Sequence, residues 1–149
     1  MEKKGIKKMA TFMGTPYERG KSDAIVTRKV TAPIEEGLVV YQSDTDTVAT
    51  VNAEVVPFGV MGLNEIAGAS VVISGLKVKV QTDDEEAPTI GAQVFVVPAT
   101  GKISATEEGN IATNAVFASN TIETDGRTRN TATKADDRKC VLIDFPNGL

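Results

Sequence analysis

The sequence contains no histidine, no tryptophan and a single cysteine, and these absences exclude several kinds of site. Without histidine, the Cys–His and Ser–His pairs that activate nucleophiles cannot form, and neither can a histidine-containing zinc site. Cys140 cannot form an internal disulfide, and its strand-like surroundings predict a buried, unreactive thiol. No apolar run approaches the roughly 20 residues that span a bilayer, and no apolar segment follows the N-terminal lysines as in a secretory signal. We therefore expect a soluble protein made in a reducing cytoplasm.

Aromatic residues are also scarce, at 5% of 149 residues, whereas hydrophobic residues make up 41%. The core must therefore consist mainly of Val, Ile, Leu and Ala, and the β-branched members of that set favour strands. A chain of this length is expected to form one domain with a single core.

The most regular part of the sequence is residues 70–103. Its first segment alternates apolar with polar positions, Leu76, Val78 and Val80 against Lys77, Lys79 and Gln81, which predicts a half-buried strand. A second apolar strand is predicted at 93–97, and the turn residues Pro98 to Gly101 lead into a third near Ile103. Together these segments predict a β-meander.

Between the first two strands lies an acidic run, Asp83, Asp84, Glu85 and Glu86, which we expect to be a solvated loop tip. An alternative is an enzyme that uses these carboxylates with a metal ion. Consecutive side chains of an extended chain point to opposite sides, so convergence on one ion is unfavourable.

Turn residues divide the rest of the chain into further short strands. Strands are predicted at 24–30, 38–41, 47–51, 111–118 and 139–145, and an edge strand or bulge at 54–60, where Pro57 cannot donate to a ladder. Asp44 and Asp46 in the turn 43–46 suggest calcium, but no EF-hand loop follows, which favours a solvated turn. Residues 63–68 are a short connector, and residues 119–137, with Arg127 and Arg129, a long loop or loose hairpin.

Charge is distributed unevenly along the chain. Residues 1–31 carry eight Lys or Arg against three Asp or Glu, whereas residues 32–108 carry three against twelve. With few large apolar residues and no sustained period, residues 1–22 predict an extended basic arm that contacts something other than its own domain, residues 23–149. The alternatives are a disordered terminus and a nucleic-acid-binding arm.

The fold class predicted is all-β, a small β-sandwich or barrel with an extended N-terminal arm, because about nine or ten short strands alternate with turn signals. The nucleotide-binding glycine loops and the G-x-S-x-G hydrolase signature are absent. The sequence predicts no catalytic, cofactor-binding or metal-binding residue.

Several segments resemble the capsid cement or head decoration proteins of tailed bacteriophages, in their order and rhythm: residues 34–41 (IEEGLVVY), 57–60 (PFGV), 71–80 (VVISGLKVKV), 90–103 (IGAQVFVVPATGKI) and 113–117 (TNAVF). The resemblance covers residues 34–145. It implies a non-enzymatic virion protein without a cofactor, on the capsid exterior, that binds the major capsid protein as a trimer at three-fold or quasi-three-fold axes and ties neighbouring subunits together. It implies no contact with membrane or nucleic acid. The alternative is another virion β-module, such as a head-tail or fibre component.

Overall fold

The computed structural model describes residues 13–14, 16–18, 24–62, 68–125 and 138–149. Within these ranges the chain forms eleven strands and no helix, which confirms the predicted all-β fold class. The strands are β1 (Pro16–Glu18), β2 (Ala24–Arg28), β3 (Val39–Asp44), β4 (Thr47–Thr50), β5 (Gly59–Met61), β6 (Ala69–Gln81), β7 (Gln93–Val96), β8 (Ile103–Ser104), β9 (Ile111–Phe117), β10 (Glu123–Asp125) and β11 (Arg138–Phe145). No helix capable of crossing a membrane occurs in the described ranges.

Strand β6 is central to the fold because it belongs to two sheets. Its first half pairs antiparallel with β2 and β5, and its second half with β1 and β11. The ladder is irregular between the halves, where Lys77 has a φ of 52°, a left-handed conformation that is uncommon outside glycine. Asp144 Oδ1 accepts a hydrogen bond from the Lys77 N–H at 2.7 Å. This bulge bends β6, so that one strand can serve both sheets.

In the first sheet the strands lie in the order β2, β6, β5, β3, β4. Strand β4 bridges to Lys29, directly after β2, so the sheet closes into a ring. Lys29, directly after β2, accepts a hydrogen bond from the Val48 N–H at 2.9 Å and donates one to the Asp46 carbonyl at 2.7 Å. The ring encloses a small core formed by Val30, Ile34, Val40, Val48, Met61, Ala69 and Val71.

The second sheet has the order β6, β11, β9, β7, β8, and β10 pairs with β11. The far strand of this sheet, β8, also contacts the end of β6. Thr82, directly after β6, forms a parallel bridge with Ile103 of β8, and its hydroxyl donates a hydrogen bond to the Ile103 carbonyl at 2.8 Å. The main core lies between this sheet and the outer face of the first, and it contains Phe117, Ile143 and Phe145. Strand β3 is apolar on both sides since Val39 faces the main core and Val40 the small one.

Most of the predicted strands are present. Those at 24–30, 38–41, 47–51, 93–97, 111–118 and 139–145 correspond to β2, β3, β4, β7, β9 and β11, with ends that differ by up to three residues. The hairpin of β7 and β8 is also present, closed by hydrogen bonds from the Gly101 N–H to the Val97 carbonyl and from the Val97 N–H to the Lys102 carbonyl, each 2.8 Å long.

Three predictions about the central stretch and its neighbours are wrong. The β-meander does not form, because β11 and β9 lie between β6 and β7 in the sheet. Strand β5 is not an edge strand: it pairs with β3 and β6, and Pro57 lies in the loop before it, where no ladder bond is required. Finally, β6 is not half-buried, since Lys79 is only 7% exposed and Gln81 1%.

The predicted arm falls mostly outside the described residues, as do Arg127, Arg129 and nearly all of the connector 63–68. The described part of the arm contacts its own domain. Gly14 donates a hydrogen bond to the Lys79 carbonyl at 2.8 Å, and β1 pairs with β6 in the register Pro16–Val78. These bonds form because main-chain groups of β6 provide partners that side-chain composition does not reveal. Contact of the arm with something other than its own domain stays a prediction.

Candidate interaction surface

The acidic run, residues 83–86, forms a loop whose side chains bind the second sheet. Asp84 points inward and accepts hydrogen bonds from the Ser104 hydroxyl and the Ala105 N–H, both at 2.9 Å. Asp83 pairs with Lys102 at 3.0 Å, and Glu85 pairs with Lys139 at 3.1 Å. The carboxylates therefore diverge to separate partners, as an extended chain requires, and the loop lies at the surface as predicted.

The acidic turn between β3 and β4 is likewise held by protein groups. Asp46 accepts a hydrogen bond from the Thr47 hydroxyl at 3.1 Å and pairs with Lys29 at 3.4 Å. The Thr47 hydrogen bond, followed by the hydrogen bond and charge of Lys29, lowers the pKa of the Asp46 carboxyl below its ordinary value of 3.8. Asp44 accepts a hydrogen bond from the Thr45 N–H at 2.7 Å. In the part of the chain that the structure describes, no three acidic, histidine or cysteine side chains are grouped to hold a metal ion.

Four large apolar side chains are exposed at the described surface: Ile25, Val56, Ile90 and Val116. Val56 is 81% exposed, in the loop between β4 and β5. Ile90 is 58% exposed, and the residue after it, Gly91, donates a hydrogen bond to the carbonyl of Phe117, the residue after Val116, at 2.8 Å. Single exposed apolar residues are common on protein surfaces, so the Val56 loop and the Ile90–Val116 spot become contact points only if substitution there weakens binding to a partner.

A buried polar cluster connects the loop before β3 to the second sheet. Gln81 Nε2 donates hydrogen bonds to Glu35 Oε1 at 2.6 Å and to the Glu36 carbonyl at 2.9 Å. Arg138 Nη1 lies 3.4 Å from Glu35 Oε1, and Arg138 Nη2 lies 3.8 Å from Glu36 Oε1. This cluster provides the side-chain amide of Gln81 with hydrogen-bond acceptors, which explains how Gln81 can be buried.

Sequence reasoning missed this cluster. Glu35 and Glu36 lie before the predicted strand at 38–41, where carboxylates are expected at the surface, and nothing in the sequence distinguishes Arg138. The only indication was that the strand at 139–145 is preceded by a basic residue, and pairing it with Glu35 requires knowledge of the tertiary fold. Cys140, by contrast, is buried, as predicted.

Comparison with known proteins identifies a similar fold and no family. No protein-family model matches the chain, and no curated protein matches it. Among solved structures, a chain of "The capsid of Myoviridae Phage XM1" aligns with a TM-score of 0.65 and 16% sequence identity, and the alignment covers 93% of this chain and 91% of that one. The two chains share one fold along nearly their whole length.

Proposed function

We propose that this chain is a structural protein of a tailed bacteriophage, which binds the outside of the icosahedral capsid and cements neighbouring major capsid subunits. The observation that carries the proposal is the fold shared with a chain of the phage XM1 capsid over 93% of this chain. The segments at 34–41 and 90–103, which resemble capsid decoration proteins, support it independently. The proposed form on the shell is a trimer at three-fold or quasi-three-fold axes, with no catalytic role, no cofactor and no membrane or nucleic-acid partner.

A cementing role requires contacts that exist only in the assembled shell. Such contacts stabilise the assembly by mass action. A free protein concentration of about 100 times the dissociation constant stabilises the shell by roughly 2.7 kcal/mol per site. Contacts from two parts of one molecule to different subunits strengthen attachment further, because the second contact forms at a high effective concentration. The Val56 loop and the Ile90–Val116 spot lie on different sheets and could supply two such contacts.

The direct test is to remove the protein from phage heads and measure the temperature at which packaged DNA is released, before and after the purified protein is added back. The proposal predicts a lower release temperature without the protein and recovery with it. Full rebinding with an unchanged release temperature would remove the cementing role but leave decoration. A failure to bind heads would remove both, and a reconstruction that places the protein on a tail or fibre would favour the alternative virion module.

Charge substitutions at the exposed apolar residues test which surface meets the capsid. Val56→Asp should weaken head binding at least tenfold, because burial of a valine side chain contributes about 1.5–3 kcal/mol. Ala53→Asp is the matched control, since it adds the same charge to an exposed position of the same loop. Ile90→Asp with Thr89→Asp as control tests the second spot in the same way. Equal binding by all four variants would show that neither spot meets the capsid.

A further inference from the structure

The segment directly after β11 is a tight turn that contains an Asn–Gly pair. Pro146 and Asn147 occupy its two central positions, and the Gly148 N–H closes it by donating a hydrogen bond to the Phe145 carbonyl at 3.0 Å. Proline fixes φ at the first central position, and Asn147 is not among the described residues with a positive φ, so the turn is of type I. Asn147 is exposed, and in the sequence it is the one asparagine that glycine follows.

An asparagine before glycine can deamidate without an enzyme. The nitrogen of the glycine gives up its proton to hydroxide or water and bonds to the asparagine Cγ, while the side-chain amide takes a proton from water and leaves as ammonia. Water then opens the resulting succinimide ring. Attack at Cγ breaks the new bond and yields aspartate, whereas attack at the main-chain carbonyl carbon breaks the original peptide bond and yields isoaspartate. Glycine favours ring closure because it has no Cβ to hinder the approach.

The closed turn prevents this ring closure in two ways. The Gly148 N–H is already bonded to the Phe145 carbonyl. In addition, the second central residue of a type I turn has a ψ of about 0°. At that angle the main-chain nitrogen of Asn147, rather than its Cβ, lies in line with the Gly148 nitrogen, so the side-chain carbon cannot reach it. The reaction therefore requires the turn to open.

Leu149 holds the turn in place. Its side chain packs against the main core, and its carbonyl accepts a hydrogen bond from the Asn114 N–H in β9 at 2.8 Å. In isoaspartate the main chain runs through Cβ and Cγ, which adds one carbon between β11 and Leu149. The lengthened chain no longer places the Leu149 carbonyl opposite the Asn114 amide.

We infer that Asn147 is a deamidation site gated by this turn, and that its conversion to isoaspartate detaches Leu149 from β9 and prevents its return. Water is the co-reactant, and a transient opening of residues 146–149 is the step that permits the reaction. This inference concerns the isolated chain and does not depend on the proposed function.

Peptide mass spectrometry on the full chain, incubated at mildly alkaline pH, measures the reaction at each asparagine. In guanidinium chloride, where the turn is absent, Asn147 should react faster than Asn52, Asn114 and Asn120. In the folded wild type it should react at least about tenfold more slowly than in the denaturant, because the turn must open first. Equal rates in the folded and unfolded chain, or a faster reaction at another asparagine in the denaturant, would overturn the inference.

Two leucine truncations show whether local opening or global unfolding controls the rate. Leu149→Ala removes the side chain that holds the turn and should speed deamidation of the folded chain severalfold. Leu38→Ala is the matched control, because it removes the same atoms from another partly buried leucine, packed against the small core. It should leave the rate nearly unchanged. Equal acceleration by both variants would assign the reaction to global unfolding and contradict the gate.

The isoaspartate form and the Asn147→Asp variant separate the longer main chain from the added charge. Hydrogen exchange at the Asn114 amide, measured by NMR, should be at least about tenfold faster in the purified isoaspartate form than in the wild type. It should be unchanged in Asn147→Asp, whose main chain has the normal length. Unchanged exchange in both would show that Leu149 stays in place, and faster exchange in both would assign the effect to charge; either result contradicts the inference.

Discussion

The bulge in β6 allows a sharp test of how this fold is held together. Lys77 is the non-glycine residue with a positive φ among those described, and its N–H donates to Asp144 Oδ1 at 2.7 Å. A hydrogen bond to a charged acceptor contributes about 1.5–3 kcal/mol when its loss leaves a partly buried donor unpaired. Asp144→Ala should therefore lower the free energy of unfolding by about 2 kcal/mol, or the melting temperature by roughly 4–8 °C for a domain of this size. Asp144→Asn, a neutral acceptor, should lose about half as much.

Substitution of Lys77 separates backbone strain from side-chain contacts. A left-handed conformation costs a non-glycine residue about 1–2 kcal/mol, and glycine loses about 0.5–1 kcal/mol through its larger unfolded-state entropy. Lys77→Gly should therefore be about 0.5–1 kcal/mol more stable than Lys77→Ala, which removes the same side chain but keeps the strain. Both comparisons are made by urea unfolding followed by circular dichroism. A Lys77→Ala variant that matches or exceeds Lys77→Gly in stability, or a loss below about 0.5 kcal/mol in Asp144→Ala, would show that the bulge does not depend on these two residues.

Three other predictions follow from burial and charge. Phe117→Ala should cost about 3–5 kcal/mol in urea unfolding, because Phe117 is fully buried in the main core, and a loss below 1 kcal/mol would contradict this placement. The pKa of Asp46 is lowered in the folded protein, so the Asp46 carboxylate stabilises the fold above pH 3.8, and this stabilisation is lost as the pH falls through the lowered pKa. Asp46→Asn should therefore be less stable than the wild type at pH 7 and equally stable at strongly acidic pH, as measured by urea unfolding. The Cys140 thiol should react with a thiol reagent only as fast as the protein unfolds, and rapid reaction under native conditions would show an opening of β11.

The individual strands could be predicted from the sequence because their signals are local. In β9, for example, β-branched and aromatic residues (Ile111, Thr113, Val116 and Phe117) follow the turn residues Gly109 and Asn110 directly, and both signals are visible in the residues themselves. The same reasoning identified Cys140 as buried, because it lies within an apolar run. Local strand signals and turn residues therefore indicate where these strands lie, with ends that differ by up to three residues from those in the structure.

The pairing order could not be predicted, because it depends on residues far apart in the chain. Strands β6 and β7 are close in sequence, yet β11 and β9 separate them, and nothing within residues 70–103 indicates this insertion. The polar positions of β6 were misleading for the same reason. Lys79 and Gln81 suggest a solvent-facing side, but both are buried, and Gln81 hydrogen-bonds to Glu35 and Glu36 from a distant part of the chain.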